Sequence, residues 1–75
     1  MDTVNLVRMA NRIGDFFEAM PERDEALEGI AQHILKFWEP RMRRQLLAAI
    51  DAGETADLQD IVRSALALHQ DQLQA

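Results

Sequence analysis

The stretch LVRMANRIGDFFEAMP, residues 6–21, combines a helical pattern of apolar residues with a proline at its end. The apolar residues recur at steps of one and three, which lays a single stripe along an α-helix. The stripe consists of Leu6, Met9, Ala10, Ile13, Phe16, Phe17 and Met20. Pro21 ends the helix because the residue before a proline is pushed away from helical angles. The pattern predicts a helix over about 3–20, with Thr3 or Asn5 as the N-cap.

Prolines and a glycine also mark helix ends in the rest of the chain. Pro21, Pro40 and Gly53 separate further amphipathic segments, which predict helices at about 21–38, 40–52 and 56–73. We expect Thr55 or Asp57 to cap the last helix and residues 71–75 to be frayed. The expected inward residues are Leu27, Ile30, Ala31, Ile34, Phe37 and Trp38, then Met42, Leu46, Ala49 and Ile50, then Leu58, Ile61, Val62, Ala65, Leu66 and His69 or Leu73. We therefore expect one all-α domain over residues 1–75, a small bundle of three to four short amphipathic helices.

The composition limits the class of protein. A chain that is 48% hydrophobic is too apolar for a disordered tail, and the absence of cysteine excludes disulfides and thiolate metal sites. The net charge of −5 argues against a nucleic-acid binder, including a helix-turn-helix protein that would use residues 41–52 for recognition. No apolar run is long enough to span a bilayer, and no secretion signal is recognisable. We expect a cytoplasmic protein without membrane contact.

Candidate metal and catalytic residues fail the tests of spacing. A carboxylate-bridged metal site in a bundle needs a Glu three residues before each His. Here that position is Ile30 for His33 and Leu66 for His69. No possible nucleophile stands in a strand-to-helix elbow, and the three glycines are isolated rather than gathered in a phosphate loop. The sequence predicts no catalytic, metal-binding or cofactor-binding residue in this chain.

Gly14 and Gly29 interrupt helices at a cost of about 1 kcal/mol each relative to alanine. One interpretation is close packing between helices, since a mid-helix glycine usually has a packing reason. The other is a smooth patch for a partner helix. We favour the packing interpretation.

Residues 36–44 carry four of the eight basic residues, for a local charge of +3 against −8 in the rest of the chain. Tryptophan, methionine and arginine are enriched at protein interfaces, and arginine forks onto carboxylates and phosphates. The predicted partner-binding residues are Lys36, Phe37, Trp38, Glu39, Pro40, Arg41, Met42, Arg43 and Arg44. The alternative is that Phe37 and Trp38 close the end of the core while the arginines are solvated.

Three segments resemble the delta subunit of soluble NAD-dependent formate dehydrogenase: residues 6–17, residues 29–34 and the block Phe-Trp-Glu-Pro-Arg-Met-Arg-Arg at 37–44. The block is the most specific of the three. The resemblance covers about residues 6–51, and nothing is carried over to the tail after Gly53.

The resemblance implies a non-catalytic accessory subunit that binds the catalytic alpha subunit, within a complex that also has beta and gamma subunits. In that family the alpha subunit holds a molybdenum or tungsten bis-pterin cofactor and iron–sulfur clusters, and other subunits carry flavin and further clusters. The implied role is assembly, cofactor insertion or stability of the complex. The alternative is a free-standing maturation chaperone or regulator that binds only the immature enzyme.

Overall fold

The computed structural model describes residues 2–74, so Met1 and Ala75 of the predicted domain lie outside the described residues. Within 2–74 the chain forms five helices and no strand, which confirms the predicted all-α class. The helices are α1 (Thr3–Glu18), α2 (Arg23–Phe37), α3 (Pro40–Asp51), α4 (Asp60–Leu68) and α5 (Gln70–Gln74). No helix in this part of the chain has the length and apolar character needed to cross a membrane.

The ends of α1 differ from the sequence expectation. The N-cap is Asp2, whose carboxylate Oδ1 accepts a hydrogen bond from the Asn5 backbone N–H at 2.8 Å, rather than Thr3 or Asn5. The helix ends at Glu18, and Pro21 lies in the connection rather than in the first turn of α2. An extended Glu22 precedes α2, and such an extended residue is what a helix N-cap requires.

The connection that follows α3 is longer than predicted. Gly53 has a φ of 74°, and its N–H and that of Glu54 donate to the carbonyls of Ile50 and Ala49, each at 3.0 Å. This pair of bonds is a Schellman motif, which satisfies the last carbonyls of a helix. The chain then stays non-helical until Asp60, so α4 begins about four residues later than expected and its N-cap is Gln59, not Thr55 or Asp57.

The C-terminal segment is part of the packed structure. The predicted fourth helix breaks at His69, and a short α5 follows where we expected fraying. Leu73 in α5 is only 1% exposed and belongs to the hydrophobic core, with α5 packed mainly against α3.

The core lies between α1, α2 and α4, and α3 covers one side of it. Its largest fully buried side chains are Leu6, Ile30, Ile34, Leu46, Val62 and Leu73. Two residues that we expected on the inward stripes point outward instead, since Phe16 is 75% exposed and Phe37 is 69% exposed. The buried sector of each helix is narrower than its apolar stripe, so the residues at the stripe's edge remain in solvent.

Candidate protein-binding surface

The basic corner, defined as residues 36–44, divides into an inner and an outer part. Trp38 and Arg43 are buried and Met42 is half-buried. The exposed members are Lys36, Phe37, Glu39, Pro40, Arg41 and Arg44. Of the two adjacent aromatic residues only Trp38 lies in the core. The helix ends at Phe37, and Trp38 follows it with an extended backbone.

Arg43 holds the connection between α2 and α3 from the inside. Its Nη1 donates to the carbonyl oxygen of Leu35 at 3.0 Å and to that of Trp38 at 3.2 Å. The last carbonyls of a helix have no partner within the helix, so a buried arginine fork can satisfy them. The side chains of Trp38 and Arg43 are thus used within the chain, and the outer residues form the surface that a partner can meet.

The outer part of the corner combines an exposed ring with unpaired cations. Phe37 stacks on His33, with ring centroids 4.8 Å apart and planes tilted by 45°. Lys36, Arg41 and Arg44 are exposed and make no ion pair or hydrogen bond to another residue within 2–74. An apolar centre bordered by free arginines suits binding to an acidic protein surface.

Both mid-helix glycines lie at close contacts. A Cβ on Gly14 would meet the side chains of Gln59 and Val62, with Val62 Cγ2 2.7 Å away. A Cβ on Gly29 would meet the ring of Phe17. The packing interpretation therefore accounts for both glycines, with α4 as the neighbour of Gly14 and α1 as the neighbour of Gly29.

Side-chain hydrogen bonds join α1 to the connection before α4, and no pattern in the sequence indicates them. The side-chain amide of Asn11 donates from Nδ2 to the Asp57 carbonyl at 3.0 Å and accepts at Oδ1 from the Gln59 backbone N–H at 2.9 Å. The Gln59 side chain also donates from Nε2 to Asp15 Oδ1 at 2.6 Å. These partners are more than 40 residues apart, so no local spacing could reveal them.

Arg63 of α4 also forms hydrogen bonds to this connection. Its guanidinium donates to the Thr55 carbonyl at 2.6 Å and to the Thr55 hydroxyl at 3.2 Å. Thr55 is buried, and because its carbonyl and hydroxyl oxygens both accept bonds from Arg63, it ties the connection to α4. An open groove of about 720 Å³ lies between α1 and residues 54–57.

The remaining titratable groups are dispersed. Within residues 2–74 no three His, Cys, Asp or Glu side chains lie close enough together to hold a metal ion. His33 is exposed beside Phe37. Nε2 of His69 is buried and has no hydrogen-bond partner in the described part of the chain.

Comparison with known proteins identifies one family. No curated protein and no solved structure matches the chain. The sequence profile described as NADH-dependent formate dehydrogenase delta subunit FdsD matches residues 5–66, which include α2, α3 and most of α1 and α4. The chain therefore belongs to the family of formate dehydrogenase delta subunits, as the block at residues 37–44 predicts.

Proposed function

We propose that this chain is a non-catalytic accessory subunit that binds the catalytic alpha subunit of an NAD-dependent formate dehydrogenase in the cytoplasm. Its role is to support assembly, cofactor insertion or stability of a complex that includes beta and gamma subunits. The observation that carries the proposal is the family match over residues 5–66, which contains the whole basic corner.

The outward residues of the corner supply a physical means of binding. Phe37 is held in solvent at the end of α2 because Trp38 and Arg43 fix the turn beneath it. Arg41 and Arg44 are exposed near the start of α3, and an exposed arginine can form bidentate pairs with carboxylates. Because the turn beneath Phe37 is held in place, this ring loses little conformational entropy on binding, which favours it for recognition.

The redox groups in this proposal belong to the other subunits. The chain has no cysteine and so offers no thiolate to an iron–sulfur cluster. The bis-pterin molybdenum or tungsten cofactor and clusters are assigned to the alpha subunit, and flavin and further clusters to its partners. What this chain contributes is protein contact.

Co-purification from the native host tests the proposal. A tagged chain is expected to recover the alpha subunit at fixed stoichiometry from mature complex. The double variant Arg41→Glu, Arg44→Glu should lose this recovery, because it reverses the charge of the corner. The matched control is Arg8→Glu, Arg12→Glu, which makes the same change on exposed residues of α1. Equal recovery by both variants would contradict a role for the corner.

Enzyme made without this chain distinguishes the possible roles. A stabilising subunit predicts normal metal content at first and a faster loss of activity on storage. A role in cofactor insertion predicts low molybdenum or tungsten content from the start. Recovery of the chain only with immature alpha subunit, and never with mature complex, would identify it as a free-standing chaperone and overturn the proposal.

A further inference from the structure

The connection between α3 and α4 contains a backbone turn that stops one residue short of α4. The Leu58 N–H donates to the Thr55 carbonyl at 3.0 Å, which closes residues 55–58 into a turn. Gln59 separates this turn from Asp60, the first residue of α4. The φ of Gln59, −61°, is already helical, but its ψ of 145° is extended, whereas an α-helix requires about −42°. The helical path is therefore interrupted at the ψ angle of Gln59.

The residue pattern favours a helix that begins before this interruption. Ile61, Val62 and Ala65 form the buried side of α4. Leu58 precedes them by three, four and seven positions, so in a continuous helix it would lie on the same side. Leu58 is already in the core, where it is 4% exposed, and threonine, the residue type at position 55, is a favoured N-cap. Joining the turn to α4 would therefore keep Leu58 facing the core and would give α4 one more helical turn.

The Asn11 side chain of α1 occupies two backbone groups that this extra turn would use. In an α-helix each N–H donates to the carbonyl four residues earlier, so the Asp57 carbonyl would accept from the Ile61 N–H. In the structure it accepts from Asn11 Nδ2 at 3.0 Å. The Gln59 N–H would also donate within the helix, but it donates to Asn11 Oδ1 at 2.9 Å. Asn11 therefore takes the place of two helical hydrogen bonds.

Arg63 occupies the groups of Thr55 that would begin the extra turn. The Thr55 carbonyl, which would accept from the Gln59 N–H in a helix, accepts from Arg63 Nη2 at 2.6 Å. The Thr55 hydroxyl, which as an N-cap would accept from a backbone N–H of the first turn, accepts from Arg63 Nη1 at 3.2 Å. The local sequence and the long-range side-chain bonds thus favour different conformations of the same residues.

We infer that residues 55–59 are a two-state segment. In the structure the bonds to Asn11 and Arg63 hold the segment as a separate turn. When these bonds are released, the segment joins α4 as its first turn and lengthens that helix by about 6 Å. Residues 54–57 form one wall of the groove of about 720 Å³ beside α1, and Asn11 lines the same groove. The change of state therefore reshapes this groove, and the bonds that control it lie beside the groove.

Asn11→Ala tests the inference, because it removes both bonds from α1 to the segment. The measurement is the ¹³Cα chemical shift of each of residues 56–59 by NMR on the full chain. We expect these shifts to move to the helical values of the residues in α4. Asn5→Ala, the same change at an exposed asparagine of α1, is the matched control and should leave the shifts unchanged. Adding Gln59→Pro to Asn11→Ala should abolish the helical shifts, because proline lacks the N–H and clashes with the preceding turn of a helix.

Two results would overturn the inference. Shifts of an unfolded chain at residues 56–59 of Asn11→Ala would show that the segment detaches without joining α4. Wild-type shifts would show that Asn11 does not hold it. Unchanged shifts in α1, α2 and α3 verify that the variant is folded. If Asn11→Ala does not fold, Arg63→Gln, which frees the Thr55 carbonyl, provides the same test, and the absence of helical shifts in that variant overturns the inference.

Discussion

Arg43 donates a hydrogen bond from Nη1 to the backbone carbonyl of Trp38 at 3.2 Å, across the turn that joins α2 to α3. The arginine is 8% exposed and the tryptophan 6%, so this bond forms in a nearly dry environment. Two residues of the basic corner are therefore used to hold the fold. Their packing determines how the neighbouring exposed residues are presented.

Replacing Arg43 by methionine is expected to lower the free energy of unfolding by about 1–3 kcal/mol. The aliphatic stem is kept, but the carbonyls of Leu35 and Trp38 lose their buried donor. Urea denaturation followed by circular dichroism measures the change. Arg44→Met, on the exposed side of α3, is the control and should shift stability by less than about 0.5 kcal/mol. Equal effects of the two substitutions would show that the Arg43 bonds contribute nothing.

The fluorescence of Trp38 should report a buried indole in the free chain, without any partner. It is the single tryptophan of the sequence and lies in the core. We expect an emission maximum at shorter wavelength than in urea, and weak quenching by acrylamide. The unfolded chain is the reference for both measurements. Emission and quenching that do not change on unfolding would contradict the packing of Trp38.

Gly14→Ala is expected to destabilise the chain by about 1 kcal/mol or more, although alanine is the better helix former. The added methyl group would collide with Val62, which is fully buried and cannot move aside. Gly29→Ala is the comparison, since its neighbour is the half-buried ring of Phe17, which can turn toward solvent. Thermal melts of both variants test this order. A Gly14→Ala variant more stable than wild type would disprove close contact between α1 and α4.

Asn11→Ala removes both side-chain bonds to the connection before α4 and leaves the Gln59 N–H without its acceptor. The expected loss is about 1–3 kcal/mol. Hydrogen exchange should also quicken in residues 52–59, because their attachment to α1 is weakened. The control is Asn5→Ala, which makes the same change in an exposed side chain of α1. Unchanged exchange in residues 52–59 would mean that the Asn11 bonds do not hold the connection.

The all-α class can be predicted from the sequence because its signals are local. These signals are the apolar stripe of each helix and the proline or glycine at the helix ends. Pro40 begins α3 and Gly53 ends the helical run in a left-handed turn for reasons visible within a few residues. The start of α4 is different. Its N-cap Gln59 is fixed by Asn11, which lies 48 residues earlier. A long-range polar bond of this kind leaves no periodic trace in the sequence.

The sequence predicts which residues make up the basic corner, but not which of them face solvent. Residue types and charge located the basic corner, and Phe37 with Arg41 and Arg44 does face solvent there. The same reasoning could not separate Trp38 from Phe37, since the two differ by one position at a helix end. In the structure Trp38 has an extended backbone, with φ −90° and ψ 140°, and its ring enters the core while that of Phe37 stays exposed.

The burial of Leu73 has a consequence for comparing members of this family. The family match stops at residue 66, but Leu73 fills space beside α3 that no matched residue occupies. Emptying such a site costs about 2–5 kcal/mol, a large part of the stability of a chain this small. A homologue with a different tail would lose this stabilisation unless another side chain filled the same space. Alignments that discard the tail would hide that substitution.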